Sequence, residues 1–135
     1  MVVISSIETS ETLERWTFNV SLSSPSENVP PNASSAAAGN NDAKGKTDKE
    51  VSGEISSIIR QITSSVTFLP LLPDNCAFDL LIYTPLNTVV PVEWEQSDAR
   101  GIEGGRSVRL REFDTGCHRV GGGVCYRDEE EWDLP

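Results

Sequence analysis

The stretch that decides the fold runs from Glu50 to Pro73, EVSGEISSIIRQITSSVTFLPLLP. It opens as an amphipathic helix and closes in an apolar run interrupted by prolines. Val51, Ile55, Ile58, Ile59, Ile62 and Val66 recur at helical spacing and form one stripe, while Ser56, Ser57, Arg60, Gln61 and Ser64 occupy the other face. Thr47, three residues before Glu50, completes a capping box in which each side chain satisfies a free amide of the first turn. Pro70 has no amide hydrogen and disfavours a helical residue before it, so the helix must end by about Thr67. A helix feeding directly into a short extended connector is the expectation.

Upstream, residues 21–49 read SLSSPSENVPPNASSAAAGNNDAKGKTDK, with Leu22 and Val29 as the large apolar residues. Such a segment buries too little surface to offset the entropy of ordering it. Patterned sequence resumes on both sides, so residues 21–49 are expected to be a low-complexity disordered loop within one domain, longer than an ordinary connection. Ahead of it lie two β-like runs, VVISSI and LERWTFNV, separated by ETSET. Trp16, Phe18 and Val20 alternate with Thr17 and Asn19, the period of a strand with one buried face, and the two runs make a hairpin.

Downstream, CAFDLLIYT from Cys76 to Thr84 is the strongest strand signal. Phe78, Leu80 and Ile82 share one side, and Leu81 and Tyr83 make the other apolar too, which predicts an interior strand or one whose second face is covered. TVVPVEW, the loop EQSDARGIEGGR and the alternating run SVRLREF follow. Val108 and Leu110 alternate with Arg109 and Arg111, as suits a strand at or near an edge. The remainder, TGCHRVGGGVCYRDEEEWDLP, reads as a tail whose glycines give flexible turns and whose acidic end is solvated.

The chain has 135 residues, in keeping with one domain, and a formal net charge of −10 from 21 acidic and 11 basic residues. Phosphate neutralisation needs clustered Lys and Arg, so no nucleic acid is expected as a partner, and no acidic membrane surface for the same reason. The N-terminus MVVISSIETS has no positive charge ahead of a short apolar run, which reads as neither a secretory signal nor an anchor. The sequons at Asn19 and Asn32 are then chance matches, and the odd count of three cysteines, without a C-x-x-C pair, indicates reduced thiols.

Catalysis has little to build on. His118 is the single histidine, and every Ser-His-Asp or Cys-His scheme must use it from a glycine-flanked position that fixes geometry poorly. Cys117, His118 and Cys125 offer three zinc ligands at a spacing that fits no finger, and no metal or cofactor is expected. The paired and tripled glycines do not join a strand to a helix, so neither forms a phosphate cradle. On pattern alone Arg60 and Gln61 are the solvent face of the helix and Phe68 is core.

Five blocks in order, LERWTFNV, EISSIIRQITSSVTFLPLL, FDLLIYT, VPVEWEQSD and VRLREF, closely resemble the spindle-checkpoint branch of the HORMA-domain family. The resemblance implies an α+β fold with a β-hairpin, a long helix and a mixed sheet, and a C-terminal safety belt that switches between open and closed forms. It implies a checkpoint adaptor without catalysis. The belt closes around a short peptide from mitotic arrest deficient protein one, or from the fizzy-type activator of the anaphase-promoting complex. The peptide joins the sheet as a strand, and anaphase is restrained. Residence in the nucleus, at the kinetochore and in the cytoplasm follows from the same resemblance.

Carried onto this chain, Arg60, Gln61 and Phe68 match the surface that pairs an open with a closed molecule. Leu81, Ile82 and Tyr83 lie in the peptide-binding strand, and Trp94, Val108, Leu110, Phe113 and His118 in a belt that runs from residue 91 to 135. Residues 1–135 then form a partial HORMA domain, without the two N-terminal helices that cover the family's sheet. The strand from Phe78 to Tyr83 should accordingly expose apolar surface. The alternative is a truncated fragment that keeps the helix face but cannot close and can only dimerise or is non-functional.

Overall fold

The computed structural model describes residues 1–23 and 45–128. The expected hairpin is present as β1 (Val2–Ser6) and β2 (Thr12–Leu22), antiparallel, with a register shift between Ile4 and Ser5. Four more strands join them, β3 (Cys76–Leu80), β4 (Arg106–Arg109), β5 (Phe113–Asp114) and β6 (His118–Tyr126). The order is β3-β1-β2-β6-β4, with β5 paired to β6, and every described pair is antiparallel. Ser21 and Leu22 belong to β2, and Asp48 and Lys49 to a helix, so the stretch expected to be disordered is shorter at both ends than its composition suggested; its residues 24–44 lie outside the described residues.

Two strand expectations are corrected. The Cys76–Thr84 run is a strand only as far as Leu80, and it is an edge strand and not an interior one, because β1 pairs with it on one side and no described strand on the other. The glycine-rich run taken for a flexible tail is β6, whose nine residues lie in the middle of the sheet and pair with β2 from Glu14↔Tyr126 to Leu22↔His118. A Cβ on Gly122 would lie 2.0 Å from the Thr17 carbonyl oxygen, and one on Gly123 2.6 Å from that of Val108. The glycines thus serve close strand approach.

The helix α1 spans Asp48–Ser64 and is followed by a single 3-10 turn, Ser65–Thr67. Thr47 is its N-cap, and both halves of the capping box with Glu50 are formed. Hydroxyls of Ser64 and Ser65 donate to the Gln61 carbonyl, which also accepts the Ser65 amide, and the Thr67 hydroxyl donates to the Ser64 carbonyl, so side chains reinforce the last turn ahead of Pro70. No helix among the described residues is long and apolar enough to cross a membrane. Ile58 seats the helix on the sheet, in a core with Trp16, Leu110, Phe113, Val124 and Tyr126; Val51, Ile62 and Leu69 pack around it. Glu14 is buried on this face and takes a hydrogen bond from the Trp16 indole, which offsets the cost of burying a polar group.

Two glycine substitutions should move stability in opposite directions. Gly122→Ala forces a methyl into the Thr17 carbonyl and should cost about 1–3 kcal/mol or more. Gly53→Ala, with open space around its Cβ on α1, should gain about 0.5–1 kcal/mol. Urea midpoints of both variants test this.

The start of α1 should also be acid-sensitive. Bonds from the Thr47 amide and hydroxyl hold Glu50 below its ordinary value of 4.5, and the Lys46 ammonium does the same for Glu54. An unfolded chain therefore binds more protons at these groups than the folded one. Their contribution is fully present above pH 4.5 and is lost as pH falls through the lowered values. Helical circular dichroism should decline in that acid window, and Glu50→Gln should flatten the decline.

Candidate functional site

Antiparallel pairing alternates between residues that exchange hydrogen bonds with the neighbour and residues whose amides point away from it. Met1 and Leu81 exchange both bonds, at 2.8 Å each, which sets the phase along the β1–β3 pair. Asp79 and Ala77 then face β1, whereas the backbone groups of Phe78, Leu80 and residue 82 face outward. Those same residues carry the exposed apolar side chains, Phe78 at 75%, Leu80 at 54% and Ile82 at 59% of their full accessible surface. Leu81 is half-buried, and Ile82 and Tyr83 continue past the end of β3 with their side chains open to solvent.

Residues 81–105 must cross the sheet, because β3 lies at one edge and β4 at the other. Arg15 marks the route: its Nη1 donates to the Arg100 carbonyl at 3.0 Å. Strand alternation sets Arg15 opposite Trp16, so the crossing runs over the face away from α1. Val3 and Asp79 stand in the same cross-strand row, where Val3 is fully buried and Arg100 lies 3.9 Å from Asp79. The exposed ion pair contributes little. Trp94 sits on this crossing, exposed, where its amide closes a turn with Pro91.

The remaining residues expected in the belt cluster around α1. Leu110 and Phe113 are buried in the core, Val108 is partly exposed on β4, and Phe68 packs its ring 5.8 Å from that of Tyr126. Phe68 itself remains exposed, so the pattern-based placement in the core is corrected. Arg60 points to solvent, while the Gln61 side chain reaches the Arg111 amide. Asp114 closes the turn into β6, accepting from the Ser23 hydroxyl and the Gly116 amide, and these bonds hold its carboxyl below the ordinary range.

The site residues thus fall into separate groups. Leu81, Ile82 and Tyr83 belong to one sheet edge, and Val108 to the other, about 19 Å away at four strand spacings. His118 begins β6 opposite Leu22, exposed. Cys125 is seven residues along the same strand, about 23 Å away, so the two cannot share a metal ion. Arg111, Glu54 and Arg15 make contacts that the sequence reading did not single out. Arg111 carried one signal, its place on the polar side of SVRLREF.

Comparison with known proteins agrees with this architecture. The mitotic spindle assembly checkpoint protein MAD2A of Dictyostelium discoideum is 45% identical over 127 residues, covering 94% of this chain and 57% of that protein. MAD2A of Homo sapiens is 43% identical over the same shares, and the mitotic spindle checkpoint protein MAD2 of Zea mays is 41% identical over 98% of this chain and 58% of its own. The chain therefore spans a little over half the length of these relatives. A chain in the crystal structure of the mitotic checkpoint complex superposes with a TM-score of 0.71 at 35% identity, covering 94% of this chain and 60% of that one. The HORMA domain matches residues 1–118, and with the sheet, the helix and the connections between them in place, the chain belongs to the HORMA-domain family.

Proposed function

We propose that this chain is a non-catalytic spindle-checkpoint adaptor that captures a short extended peptide as a new strand on the outer edge of β3. One observation carries the reading: the backbone groups of Phe78 and Leu80 point outward from an edge strand whose side chains there are apolar and exposed. Such an edge is a template for strand addition, with main-chain bonds for affinity and alternate side chains for selectivity. A peptide with apolar residues at alternate positions fits it.

The segment 81–105 then carries the chain from β3 across the sheet and into the belt of residues 91–135. It leaves β3 beside the captured strand and returns on the opposite side of the sheet, so the peptide can be released only by moving the crossing or the strands that follow it. Leu110 and Phe113 are seated against α1, and in this reading the arrangement of β4, β5 and β6 is taken as the closed form. Mitotic arrest deficient protein one and the fizzy-type activator of the anaphase-promoting complex are the proposed peptide donors. Arg60, Gln61 and Phe68 are the proposed face for an open copy, with the nucleus, kinetochore and cytoplasm as places of action.

A second reading is favoured by the exposed apolar surface that Ile55, Ile59 and Val66 present on the helical segment and Phe78 and Leu80 present on β3. A fragment that self-associates through this surface would not capture a peptide. Amide exchange with an excess of a synthetic peptide from either proposed donor separates the two. Binding should slow exchange at Phe78 and Leu80 by up to roughly 100-fold when peptide is at 100 times its Kd, and leave Ala77 and Asp79 much less affected. Aggregation during size exclusion without protection at Phe78 and Leu80 would establish the fragment reading.

A further inference from the structure

The strand that pairs with β6 on its outer side is interrupted. Arg109 faces Gly123, the Leu110 amide donates to the Gly122 carbonyl at 2.9 Å, and pairing resumes with Phe113 opposite Val120. Arg111 and Glu112 thus stand opposite Gly121 alone, the two-against-one count of a β-bulge, which leaves a backbone group without a ladder partner. The partner comes from the helix. The Arg111 amide donates to Gln61 Oε1 at 2.8 Å, across 50 residues of sequence.

Other contacts hold the same bulge from the same flank of α1. Arg111 Nη2 lies 3.5 Å from Glu54 Oε2, two helical turns before Gln61. Glu54 is fixed by Lys46 at 2.8 Å, and the Lys46 amide donates to the Thr115 carbonyl at 3.0 Å. The neighbours Leu110 and Phe113 are buried under the helix. The ion pairs are exposed and their carboxylate and guanidinium can re-form elsewhere; the amide bond requires an acceptor placed at position 61.

We infer that Gln61 is a positioning residue for the C-terminal strands: it completes the β4–β5 bulge and thereby couples the exposed face of α1 to whether those strands are seated. This rests on the adaptor reading above, in which that face receives a second copy of the chain. With the bulge seated, the Gln61 carbonyl oxygen is engaged and Arg111 stands beside it. With the bulge lifted, the oxygen turns to solvent and Arg111 leaves, so an approaching copy meets a different pattern of charge and hydrogen-bonding groups.

Residue-resolved amide exchange on the full chain tests the inference without any peptide. Gln61→Met keeps length and helix propensity but removes the acceptor, and Gln61→Glu keeps an acceptor oxygen. The Met variant should speed Arg111 exchange by roughly three- to tenfold, the range one net hydrogen bond supports, with Ile58, Val3 and Trp16 unchanged; the Glu variant should restore protection. Unchanged Arg111 exchange in the Met variant overturns the inference, and so does an equal rise at Ile58, which would mark a purely helical effect. Release of a bound donor peptide should be faster for Met than for Glu. If no variant binds peptide, the adaptor reading fails while the Arg111 result still decides the role of Gln61.

Discussion

The pairing of β2 with β6 is the constraint from which the other parts take their places. It joins residues about a hundred positions apart, so its loop-closure cost is met only by the length of the ladder and the core it completes. Once β6 occupies the outer side of β2, it supplies the template for β4 and β5. The other hairpin strand, β1, pairs with β3 and leaves the far edge of β3 open. Had β6 paired at β3 instead, the proposed peptide site would be filled. Gly122 matters for this reason: its missing side chain allows the two central backbones to approach.

Helix α1 divides its work between its flanks. The seam around Ile58 holds it on Trp16, Val124 and Tyr126. On one side Glu54 and Gln61 hold the bulge at Arg111. The opposite flank carries Ile55 and Ile59, whose side chains stay exposed. Burial of Leu110 and Phe113, at about 1.5–3 kcal/mol per large side chain, outweighs the exposed ion pairs around them. Apolar packing therefore supplies most of the strength of the seat, and the polar contacts select its register.

Much of this was legible in local pattern. The spacing of Val51, Ile58 and Ile62, the Thr47–Glu50 cap and the stop before Pro70 define the helix through interactions within a few residues. Trp16, Phe18 and Val20 define β2 in the same way. The strand β6 was missed because Gly121, Gly122 and Gly123 have little strand preference, although Val120, Val124 and Tyr126 keep the period of two. The apolar character of both faces of Cys76–Thr84 suggested an interior strand or a covered second face; no described strand lies on its outer edge, and Ala77 and Asp79, on the side away from the helix, stay exposed.

The sequence by itself determined the helix, the β1–β2 hairpin and the strand signals of β3 and β4, and which side of the helix and of β2 is apolar, because those properties depend on neighbours one to four residues away. It also carried a family resemblance specific enough to indicate the fold. Only the tertiary structure decided which strand edge stays open, how the 81–105 segment crosses the sheet and that Gln61 meets the Arg111 amide. Those outcomes depend on strand order and on one extra residue in a bulge. Backbone groups are chemically alike along the chain, so their partners are chosen by geometry assembled from distant segments.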